Sequence, residues 1–120
     1  MTTRDEIRQF NAKLSEAAAR GDAGALAAMY DDEACFVVAG SPTFKGAGQI
    51  AALCDEFLSD GPAKIAFEPG DIWESERLVV TVGTLTVGDN PDERCVVVYR
   101  RRADSSLAIL VDAPVRESRR

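Results

Sequence analysis

The sequence has no histidine and few cysteines, tryptophans or tyrosines. Its 120 residues include three Cys, one Trp and two Tyr. The missing His excludes Ser-His-Asp and Cys-His catalysis and His-ligated zinc sites, and it removes the side chain that most often acts as a general base near neutral pH. Acid–base chemistry in this chain would therefore have to use another kind of side chain.

The three cysteines do not form a disulfide or metal-binding pattern. Cys35, Cys54 and Cys95 are odd in number, far apart and each set in an apolar segment, which is typical of buried free thiols in a reducing compartment. The start of the chain, MTTRDEIR, has no apolar signal core, and no apolar run approaches the roughly 18 residues of a membrane span. We therefore expect a cytoplasmic protein with no membrane partner.

Positive charge is also in short supply. The 14 Lys and Arg residues are outnumbered by 20 Asp and Glu residues, which gives a net charge of −6. Nucleic acids and anionic membranes are bound through clustered basic residues, so we expect no nucleic-acid partner. The one basic cluster, Arg100 to Arg102, lies on a predicted strand, where alternation sends its side chains to both faces.

An acidic run, Asp31, Asp32 and Glu33, could suggest a metal site. Consecutive carboxylates point in different directions, whereas a hard-cation site gathers several oxygens into one shell. We interpret these residues as solvated turn residues, and we expect no metal and no cofactor.

The pattern of elements predicts an α+β domain spanning residues 1–120. Apolar spacing predicts helices over residues 4–20, 23–30 and 47–58, with Thr3 and Glu6 as a capping box for the first and Asp22 as N-cap of the second. Strands are predicted over residues 33–39, 43–45, 65–73, 78–87, 94–102 and 107–115. Helices followed by consecutive strands predict three N-terminal helices packed on a curved, mostly antiparallel sheet.

Two breaks inside the predicted strands give more detail. Pro69 and Gly70 interrupt one strand and predict a bulge or an edge position. Gly83, inside a long β-branched run, predicts a bend or the close approach of another group.

Several short segments stand in a characteristic order and spacing over roughly residues 7–115: Gly21-Asp22, Ala25-Leu26, Tyr30-Asp31-Asp32, Gly46, Ile50, Thr81-Val82-Gly83, Tyr99-Arg100-Arg101, Ile109 and Asp112-Ala113-Pro114. Together these segments resemble the SnoaL-like and DUF4440-like branch of the NTF2-like superfamily. The resemblance implies a cone-shaped fold with a pocket between helices and sheet. It does not imply one activity, because one fold hosts many functions.

The superfamily's ketosteroid isomerases use a carboxylate base and an oxyanion hole that includes a tyrosine. With Gly21-Asp22 in register, the resemblance places that tyrosine at Leu14 and that base at Val38 of this chain. Neither side chain can transfer a proton. The isomerase reaction itself is therefore not expected.

Asp112 is the strongest candidate for a catalytic residue. It lies in an apolar strand, where a charge is costly to bury unless it is paired or its pKa is raised. It could be a pocket carboxylate that accepts a proton or fixes a ligand, or it could form a structural hydrogen bond to Arg100, Arg101 or a neighbouring turn. Strand parity with Cys95, Val97 and Tyr99 makes Arg101 the favoured partner.

Aromatic and apolar side chains supply the candidate ligand-binding residues. Tyr30 and Tyr99 could each direct a hydroxyl into a cavity or be plain core residues, and Trp73 could cap a pocket mouth, pack, or contact a second copy. The residues expected to line any cavity are Phe36, Val38, Phe57 and Phe67.

The combined prediction is a homodimeric protein whose pocket binds an apolar or amphipathic small molecule. If the protein is an enzyme, the chemistry would be acid–base catalysis of an isomerase or cyclase type at Asp112, with Tyr30, Tyr99 or Arg101 as donors. The alternative is a non-catalytic association module, in which the open sheet face makes a dimer or partner contact and the pocket is vestigial. A cavity of roughly 300 Å³ or more that reaches Asp112 would favour the first function.

Overall fold

Helices cover one face of a mixed, mostly antiparallel sheet in the computed structural model, which describes residues 1–115. Residues 116–120, where we expect a frayed end, lie outside the described part. In chain order the elements are α1 (Thr3–Ala19), α2 (Ala23–Ala27), β1 (Tyr30–Phe36), β2 (Phe44–Lys45), α3 (Gly46–Phe57), β3 (Ile65–Glu74), β4 (Leu78–Val87), β5 (Glu93–Arg101) and β6 (Leu107–Val115).

The six strands over these residues form one sheet in the order β2-β1-β6-β5-β4-β3. All neighbouring pairs are antiparallel except β1 and β6, which are parallel. The α+β class and the mostly antiparallel sheet are therefore confirmed. None of the helices in this part of the chain combines the length and apolar character that a membrane span requires.

The first two helices begin at side-chain caps. The capping box of α1 is formed by Thr2 and Asp5, one residue earlier than the predicted Thr3 and Glu6, so that prediction was wrong. Each of Thr2 and Asp5 accepts from the other's backbone N–H. Asp22 caps α2 as predicted, accepting from the backbone N–H of Ala25.

The start of β1 differs from the prediction and matters for the site. The predicted helix over residues 23–30 ends at Ala27, and the strand predicted over residues 33–39 runs instead from Tyr30 to Phe36. A helix this short has little stability of its own, so pairing with β6 decides where the strand begins. Tyr30 therefore lies on the sheet, opposite Ile109.

The acidic run is part of β1 and not a turn, which corrects that interpretation. Asp31 is only 8% exposed, and its carboxylate accepts a bond of 3.3 Å from Arg100, which also bonds Glu33 at 2.8 Å. An ion pair between β1 and β5, which lie on either side of β6, thus compensates the burial of Asp31.

The break at Pro69 and Gly70 is both a bulge and an edge position, as predicted. The register of β3 against β4 shifts between Glu68 and Asp71, and β3 is the last strand of the sheet. Gly83 on β4 faces this bulge, where a Cβ atom would overlap the carbonyl oxygen of Glu68 and lie 2.9 Å from the nitrogen of Gly70. The predicted close approach is therefore confirmed: the backbones meet where a side chain cannot fit.

Candidate functional site

A cavity of about 360 Å³ lies between the helices and the sheet. Its lining is almost wholly apolar and includes aromatic side chains from β1, β2, α3 and β3. The lining residues are Leu14, Leu26, Tyr30, Phe36, Val38, Ser41, Phe44, Leu53, Cys54, Phe57, Ile65, Phe67, Leu85, Val87, Asp112 and Pro114. Ser41 and Phe57 are exposed, so the mouth lies between the loop after β1 and the end of α3.

Asp112 is the one carboxylate in this lining. It lies on β6 opposite Phe36 of β1 and Val97 of β5, and only 2% of its surface is exposed. Burial raises its pKa from 3.8 to about 6, although hydrogen bonds from Tyr30 and Cys95 act in the opposite direction. A carboxyl group with that pKa is ionised at neutral pH and is a better base than an exposed aspartate.

Two neutral donors hold the Asp112 carboxylate. The Tyr30 hydroxyl donates to Oδ2 at 2.7 Å, and the Cys95 thiol donates to Oδ1 at 3.6 Å. Burial and the neighbouring Asp112 raise the pKa of both groups, so both keep their protons at neutral pH. Two oxygens offer about four lone-pair positions, which leaves acceptor capacity for a ligand.

Tyr30, Phe36, Val38, Phe57 and Asp112 line this single cavity, as does Phe67. The sequence predicts Phe36, Val38, Phe57 and Phe67 as lining residues, and it leaves Tyr30 and Asp112 open between a pocket role and a structural one. Their contact is a product of topology, since Tyr30 and Asp112 are 82 residues apart in the chain.

Arg101, Tyr99 and Trp73 lie away from the cavity. The expected pairing of Arg101 with Asp112 was wrong: its guanidinium bonds both carboxylate oxygens of Glu6 on α1, at 2.8 and 2.9 Å. Arg101 is opposite Leu107, whereas Asp112 is opposite Val97. On β5, Arg101 lies four residues beyond the position opposite Asp112, which is about 13 Å along the strand. The two side chains can point to the same face of the sheet and still be too far apart to bond.

The other two aromatic candidates have different surroundings. The Tyr99 hydroxyl donates to Asn11 Oδ1 at 2.9 Å, and its ring meets Phe10 edge to face at 5.4 Å, so Tyr99 is a buried core residue that ties β5 to α1. Trp73 is 57% exposed near the end of the edge strand β3. Neither contributes to the cavity lining.

Leu14 and Val38 both line the cavity. These are the positions where the resemblance to ketosteroid isomerases places a tyrosine and a base. Because neither can transfer a proton, Asp112 with its partner Tyr30 is the acid–base group that this cavity offers.

Two residues of the site were not predicted from the sequence: Cys95 as a partner of Asp112, and Phe44 as a lining residue. Cys95 was interpreted only as a buried thiol. The sequence of one strand does not show which side chain of the adjacent strand will lie diagonally across from it. Phe44 comes from a two-residue strand paired with β1 and meets Phe36 edge to face at 6.4 Å. Its apolar character within the short return after Pro42 was the available signal.

Replacing Cys95 by alanine is expected to raise the pKa of Asp112. The thiol bond favours the ionised carboxylate, and a net hydrogen bond of about 1 kcal/mol corresponds to roughly 0.7 of a pKa unit. Titration of the ¹³C carboxyl resonance of Asp112 by NMR measures the change. Cys95→Ser, which restores a donor, and Cys35→Ala on β1 serve as controls. An unchanged or lower pKa in Cys95→Ala would contradict the assigned bond.

The fold is similar to that of solved NTF2-like proteins. The fold is similar to an NTF2-like protein of unknown function from Shewanella oneidensis MR-1, with 19% identity, a TM-score of 0.78 and coverage of 94% of this chain and 98% of that one. It is similar to an NTF2-like protein with a cystatin-like fold from Novosphingobium aromaticivorans, with 22% identity, a TM-score of 0.72 and coverage of 92% and 79%.

A Catenulispora acidiphila structure in complex with S-DNPA has the same fold, with 19% identity, a TM-score of 0.71 and coverage of 92% of this chain and 91% of that one. No curated protein matches the chain. Residues 4–108 match the family of the SnoaL-like domain. The chain belongs to this SnoaL-like family, and the SnoaL-like resemblance noted from its sequence is confirmed.

Proposed function

We propose that this protein binds an apolar or amphipathic small molecule in the 360 Å³ cavity and that Asp112 exchanges a proton with it. One observation carries the proposal: a buried carboxylate with a raised pKa stands in the wall of an otherwise apolar hollow. The volume lies at the lower end of the range of about 300–1,000 Å³ that is usual for small-molecule sites.

The reaction class that fits is isomerisation or cyclisation by proton transfer. Ionised Asp112 accepts a proton as a C–H or O–H bond of the ligand breaks, and the carboxyl group so formed, which exchanges its proton in part with solvent, donates a proton to another position of the same ligand. Tyr30 holds Oδ2 and keeps the carboxylate aimed, while the apolar lining excludes water. No external oxidant, reductant or co-reactant is needed for this sequence of steps.

A thermal-shift screen with sterols, polyketide-like aromatics and fatty acids tests the binding. A ligand that binds only the folded state raises the unfolding midpoint, by an amount equivalent to about 2.7 kcal/mol when its concentration is 100 times Kd. We expect at least one class to shift the wild type and Asp112→Asn to reduce that shift. Asp89→Asn, the same chemical change in an exposed turn, should leave it intact.

Exchange of ligand C–H for deuterium in D₂O tests the chemistry separately. The wild type should catalyse the exchange, and Asp112→Asn should lose about 10²–10⁴-fold in rate, the usual contribution of general acid–base catalysis. A ligand that binds but exchanges equally in both proteins would leave binding as the function and remove the proton transfer.

We also propose that the protein forms a homodimer through the outer face of its sheet. Val80, Val98 and Val111 stand in one cross-strand row, with Val82, Val96 and Ala113 in the next. All are only partly buried, and the helices pack against the opposite face. The cavity lies on that opposite face, so dimerisation would leave it open. We therefore propose dimerisation in addition to ligand binding and not as its alternative.

Val98→Glu tests this dimer, since Val98 lies between Val80 and Val111 at the centre of the face. The wild type should sediment with twice the chain mass of 12.9 kDa, and Val98→Glu with the chain mass itself. A charge at the centre of an interface is costly because it loses its hydration without gaining a partner. A wild-type monomer at tens of micromolar would refute the dimer, and circular dichroism would confirm that the variant is folded.

A further inference from the structure

The charge of Asp112 has no positive partner among the described residues. The titratable groups that interact electrostatically with it are Tyr30 from β1, Cys95 and Tyr99 from β5, and Cys54 from α3, and all four are neutral acids. Burial raises the pKa of each, that of Cys54 to about 11, so none acquires or compensates a charge near neutral pH. No Lys or Arg of residues 1–115 lines the cavity.

The helix end at the mouth of the cavity is also negative. Phe57, a mouth residue, is the last residue of α3, and the carbonyl end of a helix carries the negative pole of its dipole. The last turn of α3 has no basic residue, and Asp55 and Glu56 lie exposed within it. The path from solvent to Asp112 therefore passes no compensating positive charge on this helix.

Aromatic side chains provide the remaining recognition element. Phe36, Phe44, Phe57 and Phe67 line the cavity together with Tyr30. Aromatic faces attract cations by about 0.5–2 kcal/mol, more strongly where water is excluded. This attraction replaces part of the hydration that a cation loses on entering the cavity. The same aromatic side chains also pack against the apolar part of a ligand.

We propose that the cavity selects an apolar amine in its protonated form over neutral and anionic molecules of the same shape. The inference rests on the proposed function and names the charge class of its ligand. Asp112 is desolvated before any ligand arrives, so an ammonium group gains the ion pair without a new cost for burying the carboxylate. A carboxylate ligand such as a fatty acid would meet Asp112 with like charge and be rejected.

Three naphthalenes that differ in one group test the selection: 2-naphthylmethylamine, 2-naphthylmethanol and 2-naphthoate. By isothermal titration calorimetry at pH 7.5 and about 0.15 M salt, where screening limits surface attraction, the amine should bind at least tenfold more tightly than the alcohol and the acid should not bind. Asp112→Asn should abolish the preference for the amine, and Asp89→Asn should retain it. Below pH 6 the preference should shrink as Asp112 takes up a proton.

The outcomes separate this inference from the proposed function. If the alcohol binds in a manner that depends on Asp112 and the amine binds no more tightly, the charge selection is overturned and the proposed function stands. If the preference for the amine survives in Asp112→Asn, it arises from acidic residues on the protein surface and not from Asp112, and the inference is likewise overturned. If none of the three binds, the inference fails, and the broader screen with deuterium exchange decides the proposed function.

Discussion

Gly83→Ala is expected to lower the free energy of unfolding by about 3 kcal/mol, the upper part of the range for overpacking a close contact. The added methyl group would overlap the Glu68 carbonyl oxygen and lie 3.0 Å from Pro69 Cα. Both obstacles are backbone atoms at the bulge of β3, so no side chain can rotate away to make room. Strand β3 would have to move from β4, and urea denaturation measures the loss.

Gly48→Ala is the matched control for this substitution. Gly48 lies in α3, and a Cβ atom there meets nothing within 4 Å beyond its chain neighbours and the backbone of its own helix. Alanine is the better helix former, so this variant should gain about 0.5–1 kcal/mol. The opposite signs of the two changes would show that the loss at Gly83 comes from the strand contact and not from removing a glycine. Equal stability of Gly83→Ala and wild type would contradict the described bulge.

The stability of the wild type should carry a component that falls as the pH rises from about 4 to 7. The folded protein holds the Asp112 proton to about pH 6, whereas the unfolded chain releases it near 3.8, so the folded state binds more protons between these values. Stability is therefore fully present below pH 3.8 and declines as the pH passes through 6. The difference in pKa corresponds to about 3 kcal/mol.

Asp112→Asn isolates this component, because the amide has nearly the same shape and does not titrate in this range. Other carboxyl groups make opposite contributions: hydrogen bonds from Thr2 and Ser106 lower the pKa of Asp5 and Asp104. These cancel when the two proteins are compared. The free energy of unfolding of Asp112→Asn relative to wild type should rise by about 3 kcal/mol between pH 3.5 and 7. A flat difference would mean that Asp112 is not desolvated.

The sequence of a single strand predicted the environment of Asp112 but not its partners. A charged residue in an apolar strand predicts a special environment, because burial of a lone carboxylate is costly, and the structure places that residue in a cavity wall. Its partners were not predictable in the same way. Arg101 has the right parity but lies at the wrong level of the sheet, whereas Tyr30 and Cys95 are brought in by register and by the parallel pairing of β1 with β6.

The short element α2 shows a second limit. Apolar spacing predicts a helix that continues to residue 30, but α2 ends at Ala27 and Tyr30 is the first residue of β1, where it pairs with β6. A five-residue helix has too little local stability to oppose strand pairing, so tertiary contacts determine where it ends. That shift moves the Tyr30 hydroxyl within 2.7 Å of Asp112.

The sequence by itself determined the kind of domain, the order of its helices and strands, the break in β3 at Pro69-Gly70 and the absence of histidine chemistry, since these depend on residue type, local periodicity and turn preference. Only the tertiary structure decided which side chains share the cavity and which neutral donors hold Asp112. Contacts across a sheet depend on register and strand order, and no local pattern of residues encodes either one.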